Sequence, residues 1–154
     1  MGGQWTFGGN LVSNTFSPAT SPGGVYTYTV PAVAPCVDAV ATVTVTKVTA
    51  ANAGFDNAIE VCSSEAAFSM RSRLLGAPQA GGTWTLSGNS HGDQFNPATD
   101  VGGVYTYLVS GTAPCADATA QLTITMVEAP SAGTNGTLNV CSTASAQDLF
   151  ASLV

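Results

Sequence analysis

Residues 2–75 and 81–154 are one segment written twice, in register and without a gap, at a constant offset of 79 residues. Of the 74 aligned positions, 34 are identical. Gly3 matches Gly82, Trp5 matches Trp84, Phe16 matches Phe95, Cys36 matches Cys115, Cys62 matches Cys141 and Leu74 matches Leu153. Solenoid turns and propeller blades repeat roughly every 20 to 50 residues, because each is one supersecondary unit stacked on its neighbours. A period of 79 residues is instead the size of a small domain. The chain is therefore expected to be a window on a tandem array of domains.

Within a period, strand signals dominate. Residues 25–30 (VYTYTV) and 104–109 (VYTYLV) are rich in β-branched and aromatic residues, and a Gly-Gly pair stands before each. Residues 41–46 (ATVTVT) and 121–126 (QLTITM) alternate strictly, so Val, Leu and Ile are expected to face a core and Thr to face water. Residues 3–7 and 82–86 read as a third strand, closed by Gly, Asn and Ser. Residues 58–62 and 137–141 read as a fourth. Residues 146–153 fit a helical turn or a strand equally well, and their counterpart 67–74 is the least similar stretch of the repeat. Several short strands per period, turn signals about every 8 to 12 residues and a tryptophan between two cysteines predict an all-β chain of tandem immunoglobulin-like β-sandwich repeats. Linkers at residues 49–54 and 128–133 divide it into residues 1–50, the C-terminal part of a repeat, residues 51–129, a complete repeat, and residues 130–154, the N-terminal part of the next. Trp5, Trp84, Tyr26, Tyr105, Phe16 and Phe95 are the expected structural core.

Charge narrows the partners. Only 8% of residues are charged, the net charge is -6, and Lys47, Arg71 and Arg73 are the only cations. Such a chain has no basic patch to neutralise phosphates, so no nucleic-acid partner is expected, and it has little to hold it to an anionic membrane. No apolar run reaches the roughly 20 residues of a membrane-spanning helix, so no membrane insertion is expected either. Four cysteines in two equivalent pairs, with so few charges, point to disulfides in an oxidising compartment. Zinc is disfavoured, because cysteine ligands usually come two within a few residues, and His91 is matched by Val12 in the other copy.

Candidate chemistry is sparse. A sugar-stacking platform of Trp5, Trp84, Tyr26, Tyr28, Tyr105 and Tyr107 competes with their ordinary use as core. For the Thr rows at 42, 44 and 46 and at 123 and 125, a flat ice-binding face competes with the outward side of a sandwich strand, and the latter is the expected reading. Asp38, Asp117 and Asp56 are weak candidates for calcium between domains, since no ligand spacing accompanies them. No other cofactor is expected. No catalytic residues are expected, because a triad or carboxylate pair needs convergent groups that nine acidic residues and one histidine do not supply in any recognisable motif.

One set of motifs goes further: Gly81-Gly82-Thr83-Trp84, Phe95-Asn96-Pro97-Ala98-Thr99, Gly103-Val104-Tyr105-Thr106-Tyr107, Ala113-Pro114-Cys115-Ala116-Asp117-Ala118, and residues 132–141 followed by Asp148-Leu149-Phe150. Together they resemble the tandem Ig-like repeats of giant secreted surface and adhesin proteins of Bacteroidota, including gliding-motility-associated ones. The resemblance implies export by the type IX route, an extracellular place at the cell surface, and a stalk or fibre role. At Phe68 to Arg73 the chain departs from the acidic-Leu-Phe pattern of residues 148–150. Partners expected on this basis are neighbouring repeats or copies of the chain head to tail, and a surface or glycan ligand. An intradomain bridge between Cys62 and Cys115 is the favoured pairing, with Cys36 and Cys141 bonded to neighbouring repeats or subunits. The competing pairing, Cys36 with Cys62 and Cys115 with Cys141, staples domains across their linkers. The two ends of the chain read as complementary halves of one domain. They belong either to a longer covalent array or to copies that complete one another in an open filament.

Overall fold

The computed structural model describes residues 2–153. The chain is all-β: among the described residues, helix is limited to two short 3-10 turns. These residues fall into two compact units, residues 2–51 with 111–116, and residues 52–110 with 117–153.

The first unit holds β1 (Gln4–Phe7), β2 (Asn10–Val12), β3 (Gly24–Val30) and β4 (Ala39–Val45) in one antiparallel sheet of order β2-β1-β3-β4. The second holds β5 (Asn57–Cys62), β6 (Phe68–Ser69), a 3-10 turn (Met70–Arg73), β7 (Thr83–Leu86), β8 (Asn89–His91), β9 (Gln94–Phe95), β10 (Gly103–Val109) and β11 (Ala118–Val127). Its main sheet runs β5-β11-β10-β7-β8, with β6 and β9 forming a separate pair. All pairings are antiparallel except β5 on β11, which is parallel.

Local chemistry explains these elements. The β1–β2 and β7–β8 hairpins close through two-residue turns, Gly8-Gly9 and Ser87-Gly88, with φ of 55° and 80° and of 49° and 82°. Positive φ at both turn residues matches the right-handed twist of the flanking strands. Period-2 alternation then sorts the faces. On β11, Ala120, Leu122 and Ile124 are buried while Gln121 and Thr125 are exposed, and on β10 Tyr105, Tyr107 and Val109 are buried. Gly82 lets this core close: its N–H donates to the Tyr107 hydroxyl at 3.0 Å, and a Cβ there would meet the Tyr107 ring at 2.6 Å. Gly3 and Tyr28 repeat the arrangement at 2.9 Å.

The core of the second unit joins Trp84, Phe95, Tyr105, Tyr107, Leu122 and Ile124 of the strands to Val61 of β5, Met70 of the 3-10 turn and Leu74 beyond it. One expectation changes here and one open reading closes. Residues 137–141 form no strand, although 58–62 fall within β5 as expected. The segment 146–153 resolves as a 3-10 turn, Phe150–Ser152, whereas its counterpart is β6 followed by the turn Met70–Arg73.

Candidate assembly interface

The sheet of the first unit repeats that of the second strand for strand, with β1, β2, β3 and β4 matching β7, β8, β10 and β11 at the offset of 79. It differs at one edge. β11 carries β5 in parallel register, from Leu122 with Asn57 to Val127 with Cys62. Among the described residues, β4 carries no strand on that side. The consequence shows in burial: Leu122 is 0% exposed and its counterpart Val43 is 49% exposed.

A groove of about 150 Å³ opens in the first unit, lined by Trp5, Phe16, Tyr26, Val43 and Val45 with Ser13, Asn14 and Thr15. The five apolar positions correspond to Trp84, Phe95, Tyr105, Leu122 and Ile124, all buried. Of the expected core residues, then, Trp84, Tyr105 and Phe95 are core, while Trp5, Tyr26 and Phe16 face inward but stay half-buried. Burial also leaves Trp84, Tyr105 and Tyr107 no free face for stacking on a sugar.

The residues that match the cover of the second unit lie exposed at the other end of the chain. Val140 is 58% exposed where Val61 is 2% exposed, and Leu149 is 73% exposed where Met70 is 0% exposed. Leu138 and Leu153 are exposed as well. Open edge and uncovered apolar segment are thus the two complementary features of the molecule.

All four cysteines are free thiols. A Cys62–Cys115 bridge inside one repeat does not fit the strand register. Cys62 pairs with Val127 at the end of β11, and Cys115 precedes the start of β11 at Ala118 by three residues. Nine residues of strand at about 3.3 Å each, less the reach of three linking residues, keep the two at least about 20 Å apart. A disulfide needs Cα atoms within about 7 Å. Cys115 instead lies in the first unit, where its Sγ donates to the Val48 carbonyl at 3.5 Å. Cys62 and Cys141 share a different setting: hydroxyls of Ser64 and Thr143, each 3.2 Å away, lower their thiol pKa by hydrogen bonding, with backbone hydrogen bonds adding to the effect.

Two of the carboxylates considered for calcium, Asp38 and Asp56, hold backbone. Asp38 Oδ1 accepts the Ala32 N–H and Asp56 Oδ1 the Gln121 N–H, each at 2.8 Å. Among the described residues, no group of three or more His, Cys, Asp or Glu is placed to hold a metal ion, and no helix is long and apolar enough to cross a membrane. His91 packs edge-on against Tyr105, with Nε2 3.6 Å from Asp100. Asp93 is the polar residue that the sequence did not single out. Its Oδ1 accepts the Trp84 Nε1–H at 3.0 Å and the Arg71 N–H at 3.1 Å, and its Oδ2 accepts the Ser69 hydroxyl. Asn14 holds that position in the other period, so the one available signal was a carboxylate appearing where the repeat has an amide.

No protein-family model, curated protein or solved structure matches the chain.

Proposed function

We propose that the chain is a non-enzymatic structural module of an extracellular surface fibre or adhesin stalk, built from 79-residue Ig-like repeats assembled head to tail. The observation that carries this reading is the unpaired edge of β4, beside a half-buried aromatic groove, in a chain that also bears the exposed repeat-mate of the strand occupying that edge in the second unit. β-Strand addition at a sheet edge supplies main-chain hydrogen bonds for affinity and alternate side-chain pockets for specificity. A heterologous contact of this kind does not close on itself, so it propagates as a filament.

Several features support the Ig-like description of each repeat. The order β11-β10-β7-β8 matches the G-F-C-C′ order of a variable-type sheet, with a buried tryptophan on the strand in the C position. The Tyr105 hydroxyl donates back to the Val101 carbonyl at 2.7 Å, and Tyr26 does the same to Pro22 at 2.7 Å, in the manner of a tyrosine corner. The opposite layer is reduced to the β6–β9 pair and the 3-10 turn. Low charge and four cysteines at two repeat-equivalent positions suit an oxidising, extracellular setting.

Negative-stain microscopy of the purified chain, with gels run under denaturing and reducing conditions, tests the reading. Fibres that dissolve into 15.4 kDa subunits are the expected result. A chain that stays monomeric at high concentration, with no fibres, would rule out head-to-tail assembly.

A further inference from the structure

The repeat offset converts the contacts of one unit into a prediction for the junction between copies. Within the second unit, Asn57 to Cys62 run parallel to Leu122 to Val127, and the Ser63 N–H continues the ladder onto the Val127 carbonyl at 2.9 Å. One period apart, the same register places residues 136–141 along residues 43–48, with Cys141 opposite Val48 and the Ser142 N–H aimed at the Val48 carbonyl. That carbonyl is the one on which the Cys115 thiol stands. Neighbouring strands lie about 4.8 Å apart, so a Cys141 opposite Val48 comes beside the thiol that sits 3.5 Å from the Val48 carbonyl. Cys115 therefore waits where Cys141 of an added strand arrives.

We propose that residues 136–142 of a second copy of this chain add to β4 in parallel register, and that each junction is closed by two disulfides, Cys141 of one copy to Cys115 of the next and Cys62 of the first to Cys36 of the next. The second bridge follows from the first by the offset. Cys62 lies opposite Val127, the repeat-mate of Val48, and Cys36 is the repeat-mate of Cys115. The apolar residues agree with this docking: Val140, Leu149 and Leu153 of the added segment match Val61, Met70 and Leu74, which close the core of the second unit. All four cysteines then have partners, and none is within its own chain. This proposal rests on the head-to-tail reading above and specifies its register and covalent closure.

The chemistry balances with a disulfide oxidant. The thiolate of Cys141 attacks one sulfur of a disulfide oxidant, releases a thiolate and forms a mixed disulfide. The Cys115 thiolate then attacks the Cys141 sulfur and releases the second thiolate. Two protein thiols lose two protons and two electrons, and the oxidant is reduced to its two thiols. Hydroxyl hydrogen bonds that favour the thiolate at Cys62 and Cys141 make these the attacking members of the two bridges.

The test mixes reduced ¹⁴N- and ¹⁵N-labelled copies, lets them assemble with oxidised glutathione, and maps bridged peptides by mass spectrometry. Digestion with trypsin and a glutamate-specific protease is needed, because cleavage after Glu128 separates Cys115 from Cys141. The expected result is Cys141–Cys115 and Cys62–Cys36 bridges carrying one light and one heavy chain in the statistical proportion. Bridges found only between chains of one label, or joining Cys62 to Cys115, would overturn the proposal. Fibres whose thiols all remain free would also overturn it while leaving the assembly reading intact; absence of both fibres and bridges would remove both. Val140→Asp serves as the second arm. It alters an exposed residue outside any strand, so neither unit is disturbed, yet it brings a carboxylate into the joined core. Mixed-label bridging should fall at least about 100-fold, as expected for a desolvated unpaired charge. Undiminished bridging in this variant would show random collision rather than strand docking, and would overturn the register.

Discussion

Trp5 and Trp84 occupy one position in two copies of the same sequence. Each lies on the first strand of a tight hairpin, and each stacks on a tyrosine of the adjacent strand, at ring-centroid distances of 5.1 Å to Tyr28 and 4.8 Å to Tyr107. Trp84 is buried and Trp5 is not. What separates them is the segment 51–75, which adds β5 to the sheet edge and brings Val61, Met70 and Leu74 over the aromatic face. The last two-thirds of a period is enough to form a four-stranded sheet, because hairpins and alternation are local. It is not enough to close a core. Sheet formation and core closure are thus carried by different parts of one repeat, and in the proposed fibre a neighbour supplies the part that closes the core.

The largest test of this contrast is removal of the tryptophans. Trp84→Ala should destabilise the second unit by about 3–5 kcal/mol, whereas Trp5→Ala should cost the first unit about 1–2 kcal/mol, since the half-buried Trp5 has less burial to lose. Urea unfolding followed by circular dichroism and tyrosine emission checks this, because each unit keeps two tyrosines. Equal losses would mean that the two cores are equally closed.

Asp93 gives a second, smaller contrast. Asp93→Ala strips partners from Trp84 Nε1, the Arg71 N–H and the Ser69 hydroxyl, and should cost about 2–3 kcal/mol. Asn14→Ala, at the matching position of the open unit, should stay within about 0.5 kcal/mol. Denaturation midpoints of the two variants sharpen the comparison to one side chain.

The tyrosine corners come next. Tyr105→Phe should lose about 1 kcal/mol, because the hydroxyl bond to Val101 lies in a buried setting, and Tyr26→Phe should lose less at its exposed one. A linked pH effect is the smallest. Burial, and after it the charge of Asp100, raises the Tyr105 pKa. The folded state then holds the phenol proton more tightly than the unfolded chain. Its contribution is fully present below the unfolded value of about 10 and is lost as pH rises through the folded value. Urea midpoints measured across that window should fall with pH, and less steeply in Tyr105→Phe; identical slopes would refute the assignment.

How much of this was legible in the sequence follows from the range of the interactions. β3, β4, β10 and β11 could be read from alternation, and their hairpin neighbours from glycine pairs, because period-2 patterning and turn chemistry act within a few residues. Residues 137–141 carry the same pattern as β5 yet form no strand, since a strand needs an edge to pair with and pattern cannot say whether one is within reach. The segment 146–153 was ambiguous for a similar reason: its counterpart is shaped by Met70 entering a core and by Asp93 accepting the Arg71 N–H, both long-range contacts. Cysteine pairing is where the register departs furthest from the expectation. A bridge inside the repeat is favoured as a staple for a small sandwich, whereas the parallel register of β5 on β11 sends Cys62 and Cys115 to opposite ends of one strand.

The most direct test of strand addition is hydrogen–deuterium exchange of the reduced chain at rising protein concentration. Amides of β4 and of residues 136–142 should gain protection together as concentration increases, while those of β11, already paired on both sides, stay protected throughout. Exchange at residues 136–142 that is fast and independent of concentration, in samples where the chain has associated, would contradict the account.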